Sequence, residues 1–118
     1  TTEREIHLYE RFGEDGLVIL DMIADDDTLG EWPIDGQPYV GAEFVYSARF
    51  EMATSLIDLL TRRTRAHLLD ARATLKGASL VAALVAADLG WSDADQRREL
   101  DAYESLVRRE FGAAGLTL

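Results

Sequence analysis

Residues 41–65 read GAEFVYSARFEMATSLIDLLTRRTR. Phe44, Val45, Ala48 and Met52 recur at a spacing of one, three and four, which places them on one face of a helix, with Glu43, Arg49 and Glu51 left to water. Helix is expected to start near Val40 or Gly41. Ser55 followed by Asp58 has the form of a capping box, in which each side chain satisfies a free backbone N–H at a helix start. The spacing therefore predicts a break near Ala53 and a second helix over Leu56 to Arg63. No alternation of period two competes with this pattern, so the stretch is helical.

The same signals extend in both directions. Upstream, Glu3 to Phe12 places Ile6, Tyr9 and Phe12 at helical spacing behind a Thr2–Glu5 capping box, and Gly13 provides a stop. A helix from about Glu14 to Ala24 follows, with Leu17, Val18, Leu20, Met22 and Ile23 inward. The three aspartates 25–27 oppose the helix dipole and begin a loop that holds both prolines, Pro33 and Pro38. Downstream, Leu80, Val81, Leu84, Val85 and Leu89 form an apolar stripe on a nearly uncharged helix, expected to be central and buried. Gly90 caps that helix, with Trp91 just beyond. Ser92 with Asp95 opens a last helix that turns Leu100, Tyr103, Leu106, Val107 and Phe111 inward and ends at Gly112. Tyr39-Val40-Gly41-Ala42 is too short for a persuasive strand. The expected fold is all-α: a compact bundle of five or six helices in a single domain.

Composition narrows the function classes. The 118 residues suffice for one core. With no cysteine, disulfide frameworks, thiolate zinc sites and cysteine nucleophiles are excluded. No apolar run reaches the roughly 18–20 residues that span a bilayer, so direct membrane insertion by this domain is not expected. The net charge of −10 opposes nucleic-acid binding. It is unevenly distributed: residues 1–61 carry −11, residues 62–76 carry +4 and residues 77–118 carry −3. Arg62, Arg63, Arg65, Arg72 and Lys76 thus form a basic island in an acidic chain.

Catalytic constellations are missing from the residues. There is no G-x-G-x-x-G dinucleotide turn and no G-x-x-x-x-G-K-[ST] phosphate loop. His7 and His67 stand in no metal-binding spacing and read as surface or helix-packing residues. Asp25-Asp26-Asp27 lacks the alternating ligands of a calcium loop and reads as a solvated acidic loop. The island arginines are expected either to pair with acids, to dock another surface or to grip a phosphate. Asp58 lies four residues before Arg62, and Asp70 or Glu43 is a further candidate partner.

One pattern is more specific. Ala42-Glu43, Tyr46, Arg49, Glu51-Met52-Ala53, Leu56, Asp58, Leu60 and Arg62-Arg63-Thr64-Arg65, with Leu89-Gly90-Trp91 downstream, resembles the C-terminal domain of aerobic, FAD-dependent glycerol-3-phosphate dehydrogenases. In that family the chain runs E-x-x-Y-x-x-R-x-E-M-A, then L-x-D-x-L-x-R-R-T-R, then L-G-W before a long last helix. The resemblance covers about Tyr9 to Phe111, departing at Phe12 (commonly tyrosine) and Leu59 (commonly valine).

The resemblance implies a parent enzyme that oxidises sn-glycerol 3-phosphate to dihydroxyacetone phosphate. FAD takes the hydride and electrons pass to the quinone pool, on the cytoplasmic face of a bacterial membrane. FAD and substrate belong to a larger N-terminal portion, so residues 1–118 are the accessory helical domain and carry no catalytic, cofactor-binding or metal-binding residue and no cofactor. The partners implied are that N-terminal FAD domain and a second subunit. Glu43, Tyr46, Arg49, Glu51, Asp58, Arg62, Arg63, Arg65 and Trp91 are expected to be structural or interdomain residues. The rival reading is a stand-alone helical interaction or regulatory module.

Overall fold

Most of the described helix boundaries can be traced to a cap or a turn residue. The computed structural model describes residue 10, residues 12 and 13, and residues 16–118. The expected helix over Glu3 to Phe12, with its Thr2–Glu5 box, falls almost wholly outside the described residues. Six α-helices follow: α1 (Gly16–Asp25), α2 (Gly41–Phe50), α3 (Leu56–Asp58), α4 (Ala66–Leu69), α5 (Ala71–Leu89) and α6 (Asp93–Ala113). A 3-10 turn, Asp27–Gly30, follows α1, and α3 continues into a π turn, Leu59–Arg63. Among the described residues there is no strand.

The caps explain the boundaries. Asp26 opens the 3-10 turn by accepting from the Thr28 N–H at 3.1 Å and its hydroxyl at 2.6 Å. The Asp70 carboxylate accepts from the Ala73 N–H at 3.0 Å and starts α5. Gly90 ends α5 in the left-handed conformation, φ 70°, which costs glycine nothing. The Ser92–Asp95 capping box closes both ways, at 3.1 and 2.9 Å. The Ser55–Asp58 box closes in one direction only: Ser55 accepts from the Asp58 N–H, while the Asp58 carboxylate turns to Arg63. Glu99 from α6 instead accepts from the Leu56 N–H at 2.9 Å and pins the start of α3 to the last helix. α6 runs one residue past Gly112, and the chain turns at Gly115, φ 73°.

α5 is the centre of the bundle and packs most extensively on α2 and α6. Its buried face carries Thr74, Gly77, Ala78, Val81, Ala82, Val85 and Ala86. The expected stripe is therefore rotated: Val81 and Val85 are buried, but Leu80 is 58% exposed and Leu84 and Leu89 are only partly covered. Small residues on the inward face let neighbours approach closely. A Cβ at Gly77 would lie 2.4 Å from the Pro33 carbonyl oxygen. α1 shows a similar rotation, with Ile19, Met22 and Ile23 in the core while Leu17 and Val18 face outward.

Buried polar groups tie the loop of residues 31–40 to the bundle. The Gln37 side-chain amide donates to the Ala66 carbonyl at 2.9 Å and to the Thr74 hydroxyl oxygen at 3.2 Å. The Tyr39 hydroxyl accepts from the Arg65 N–H at 3.0 Å, and the Gly41 N–H donates to the Glu31 carbonyl at 2.8 Å.

Candidate functional site

The motif residues singled out in the sequence separate into local clusters around α2, α3 and the start of α6. Glu43 corrects its expected place in water: it is fully buried, and its carboxylate accepts from the Val40 N–H at 2.6 Å. Val40 precedes the helix without a side-chain oxygen, so Glu43 at the third helical position supplies the cap. Tyr46 packs against Phe12 and Phe50, with ring centroids 5.3 and 5.1 Å apart. Arg49 reaches across to α5 and makes a two-pronged contact with Asp88, at 2.9 and 3.3 Å. Glu51 accepts from the Ser47 hydroxyl at 2.6 Å. Met52, expected inward, lies past the helix end, 84% exposed with φ 59°.

The basic island is partly neutralised by Asp58. Asp58, nearly buried, takes the Arg63 Nε at 3.0 Å and stands 3.9 Å from Arg62. The other two candidate acids are engaged elsewhere, Glu43 at Val40 and Asp70 at Ala73. Arg62 leaves 83% of its side chain in solvent, so its pair with Asp58 contributes at most about 1 kcal/mol. Arg65 is exposed, and its backbone N–H donates to Tyr39. Arg72 belongs to another cluster, donating to the Thr117 carbonyl at 2.7 Å and lying 4.8 Å from the Phe111 ring centroid. Trp91 packs partly buried against the core edge.

His67 is a packing residue. Its Nδ1 lies 2.9 Å from the Tyr103 hydroxyl and its Nε2 lies 2.6 Å from Glu110, joining α4 to α6. Tyr103 is fully buried; burial, then the neighbouring Glu110 charge, raise its phenol pKa above the ordinary range, against a lowering hydrogen bond with Thr74. His7 lies outside the described residues. Asp25, Asp26 and Asp27 are exposed, and among the described residues no group of three or more acids and histidines is placed to hold a metal ion. No helix among them is long and apolar enough to cross a membrane.

Sequence reasoning missed the surface cavities. One, of about 250 Å³, is lined by Thr28, Glu31, Trp32, Pro33, Leu80 and Leu84. A second, of about 340 Å³, adjoins it across Pro33 and Leu80 and is bordered by Asp35, Asp70, Arg72 and Lys76. A third, of about 310 Å³, lies between Arg108 and the C-terminal residues. None of the nine motif residues lines these three cavities. The usable signal was the Trp32-Pro33 pair in a loop facing a helix whose buried side is rich in small residues.

Polar side chains used for caps and interhelical ties, around an apolar core, define a helical domain among the described residues. Residues 1–96 match the family described as the C-terminal domain of alpha-glycerophosphate oxidase, and the chain belongs to that family. It is 35% identical over 104 residues to glycerol-3-phosphate dehydrogenase 2 of Mycobacterium tuberculosis, covering 88% of this chain and 18% of that protein. To a probable mitochondrial glycerol-3-phosphate dehydrogenase of Caenorhabditis elegans it is 33% identical over 112 residues, covering 90% of this chain and 15% of the relative. The bovine mitochondrial glycerol-3-phosphate dehydrogenase is 28% identical over 112 residues, with 90% and 15% covered. The chain thus spans less than a fifth of the length of these relatives. No solved structure matches it.

Proposed function

We propose that this chain is the accessory helical C-terminal domain of an FAD-dependent glycerol-3-phosphate dehydrogenase, and that it packs on the catalytic portion of the same polypeptide. In this reading the parent oxidises sn-glycerol 3-phosphate to dihydroxyacetone phosphate and passes electrons through FAD to quinone, as a peripheral protein on the cytoplasmic face of a membrane. The observation that carries it is the family match over residues 1–96, combined with the small share of each dehydrogenase that the chain spans.

The described residues do not fit a flavin. A dinucleotide needs a long cleft and a glycine turn that brings backbone N–H groups to its pyrophosphate. Among the described residues, the glycines with positive φ, Gly13, Gly36, Gly90 and Gly115, sit in separate turns, and the three cavities described above are open notches of about 250, 340 and 310 Å³. FAD and substrate are therefore assigned to the parent's remaining portion, and no chemical step is assigned to this chain.

In this reading Arg62 and Arg65 face the catalytic portion, with Arg63 and Asp58 holding the π turn in place. Charge reversal by Arg62→Glu with Arg65→Glu in the full-length parent is expected to speed proteolysis at the domain junction several-fold and to lower its melting temperature. The 118-residue chain carrying the same changes should lose no more than about 1 kcal/mol, because Arg65 is exposed and Arg62 gives up only a solvent-screened pair with Asp58. Unchanged proteolysis and melting of the parent would count against an interdomain role. A source gene that encodes no larger chain would replace this reading with a stand-alone interaction module.

A further inference from the structure

We propose that the apolar trough between residues 28–33 and α5 is the seat on which the catalytic portion of the parent chain docks; the inference rests on the function proposed above. Trp32 and Leu80 stand on opposite walls of this trough and are 52% and 58% exposed, with Pro33, Ala83 and Leu84 completing it. Large apolar side chains clustered in one open depression mark interaction surfaces far more often than the same residues scattered singly.

The walls are preformed. Ile34, two residues after Trp32, is 1% exposed in the core. The Pro33 carbonyl is pressed against Gly77, and the Glu31 carbonyl accepts from the Gly41 N–H. Asp26 caps the turn that leads in, and Gln37 clamps the strand of chain that leads out. Trp32 is thus held out toward solvent by backbone fixed on both sides, and docking costs little ordering entropy.

The lining and its surroundings select the occupant. The trough is largely apolar and its one charged lining residue is Glu31, so it suits protein side chains rather than a phosphorylated metabolite. Beyond Leu80 the surface changes to Asp35, Asp70, Arg72 and Lys76, which with Glu31 gives a charged border around an apolar centre. The relatives contain more than four-fifths of their length outside the matched region. In one polypeptide that remainder is presented at high effective concentration, where a second copy of this chain is not.

The test uses the parent expressed whole, with a protease site placed just before Thr1. After cleavage the wild-type pieces should co-elute on size exclusion. Trp32→Ala with Leu80→Ser should weaken their association about tenfold or more, the scale of losing a central aromatic anchor. Ala83→Glu, an exposed position on α5 that would fill the trough with a charge, should do the same. The 118-residue chain carrying each change should melt as wild type, since none of the three side chains is buried. Variant pieces that stay together with unchanged affinity would overturn this seat while leaving the packing reading intact. Wild-type pieces that separate on cleavage would overturn both. A dimer of the 118-residue chain that becomes monomeric on these changes would assign the trough to a second copy and overturn the proposal.

Discussion

Met52 occupies the position after the C-cap of α2, where the chain turns left-handed so that the Glu51 and Ala53 N–H groups can both reach the Ser47 carbonyl, at 3.0 and 3.2 Å. Glycine is the usual occupant of such a position, because a Cβ there crowds the following carbonyl at a cost of roughly 1–2 kcal/mol. The methionine side chain is almost entirely in solvent and recovers little of this within the domain. Met52→Gly is therefore expected to stabilise the 118-residue chain by about 0.5–1 kcal/mol, less than the full strain because glycine also loosens the unfolded chain. A urea midpoint that falls instead would show that Met52 makes a contact worth more than the strain. The sequence placed Met52 inward because the spacing from Ala48 continues past the helix end and no glycine marks the stop. Glu43 was misplaced for a related reason. A glutamate reads as solvated until its third-position reach back to Val40 is considered, and Val40 lacks the oxygen that makes a capping box visible.

At the scale of elements, boundaries were more legible than faces. Gly90 and the Ser92–Asp95 box each announce a helix end through chemistry local to a few residues. Rotation about the helix axis depends on partners distant in sequence. α1 has six large apolar candidates for one face, and α5 offers leucines that compete with alanines and glycine for the inward side. Close packing on α2 and on the loop of residues 31–40 decides for the small residues in α5, turning Leu80 out. Two helical glycines separate these effects. Gly77→Ala should destabilise the chain by about 1–3 kcal/mol, since the new methyl group meets rigid backbone at Pro33. Gly112→Ala meets nothing within 4 Å and should stabilise it by about 0.5–1 kcal/mol. Thermal or urea unfolding of the two variants reads the contrast directly; equal effects would mean that the Pro33–Gly77 contact relaxes freely.

For the whole molecule, the all-α class and the family were readable because they rest on spacing over many residues. The docking trough was not, because it is assembled from a loop and a helix some fifty residues apart. The contact between His67 and Tyr103 that ties α4 to α6 was equally hidden, and the burial of Tyr103 makes global stability depend on alkaline pH. Burial, assisted by the Glu110 charge, holds the Tyr103 phenol protonated beyond the pH at which the unfolded chain releases it, about 10. The resulting stabilisation is complete below pH 10 and is lost as pH rises above it, because only the unfolded state then sheds this proton. Tyr103→Phe should lower stability at pH 7 by about 1 kcal/mol through the lost hydrogen bond, and should flatten the decline between pH 9.5 and 11. Parallel declines for the two proteins would place the alkaline sensitivity elsewhere.

The π turn carries a consequence of a different kind. The Thr64 N–H reaches back five residues to the Leu59 carbonyl, so this turn holds one residue more than a regular one. Each residue of an α-helix advances the azimuth by about 100°. The π turn spreads close to one rotation over its extra residue, so removal of a single residue between 59 and 63 would restore ordinary winding while leaving Thr64 and Arg65 at nearly the same azimuth. Loss of one codon at this spot would thus be absorbed inside the turn, and the charged surface beyond it would keep its aim.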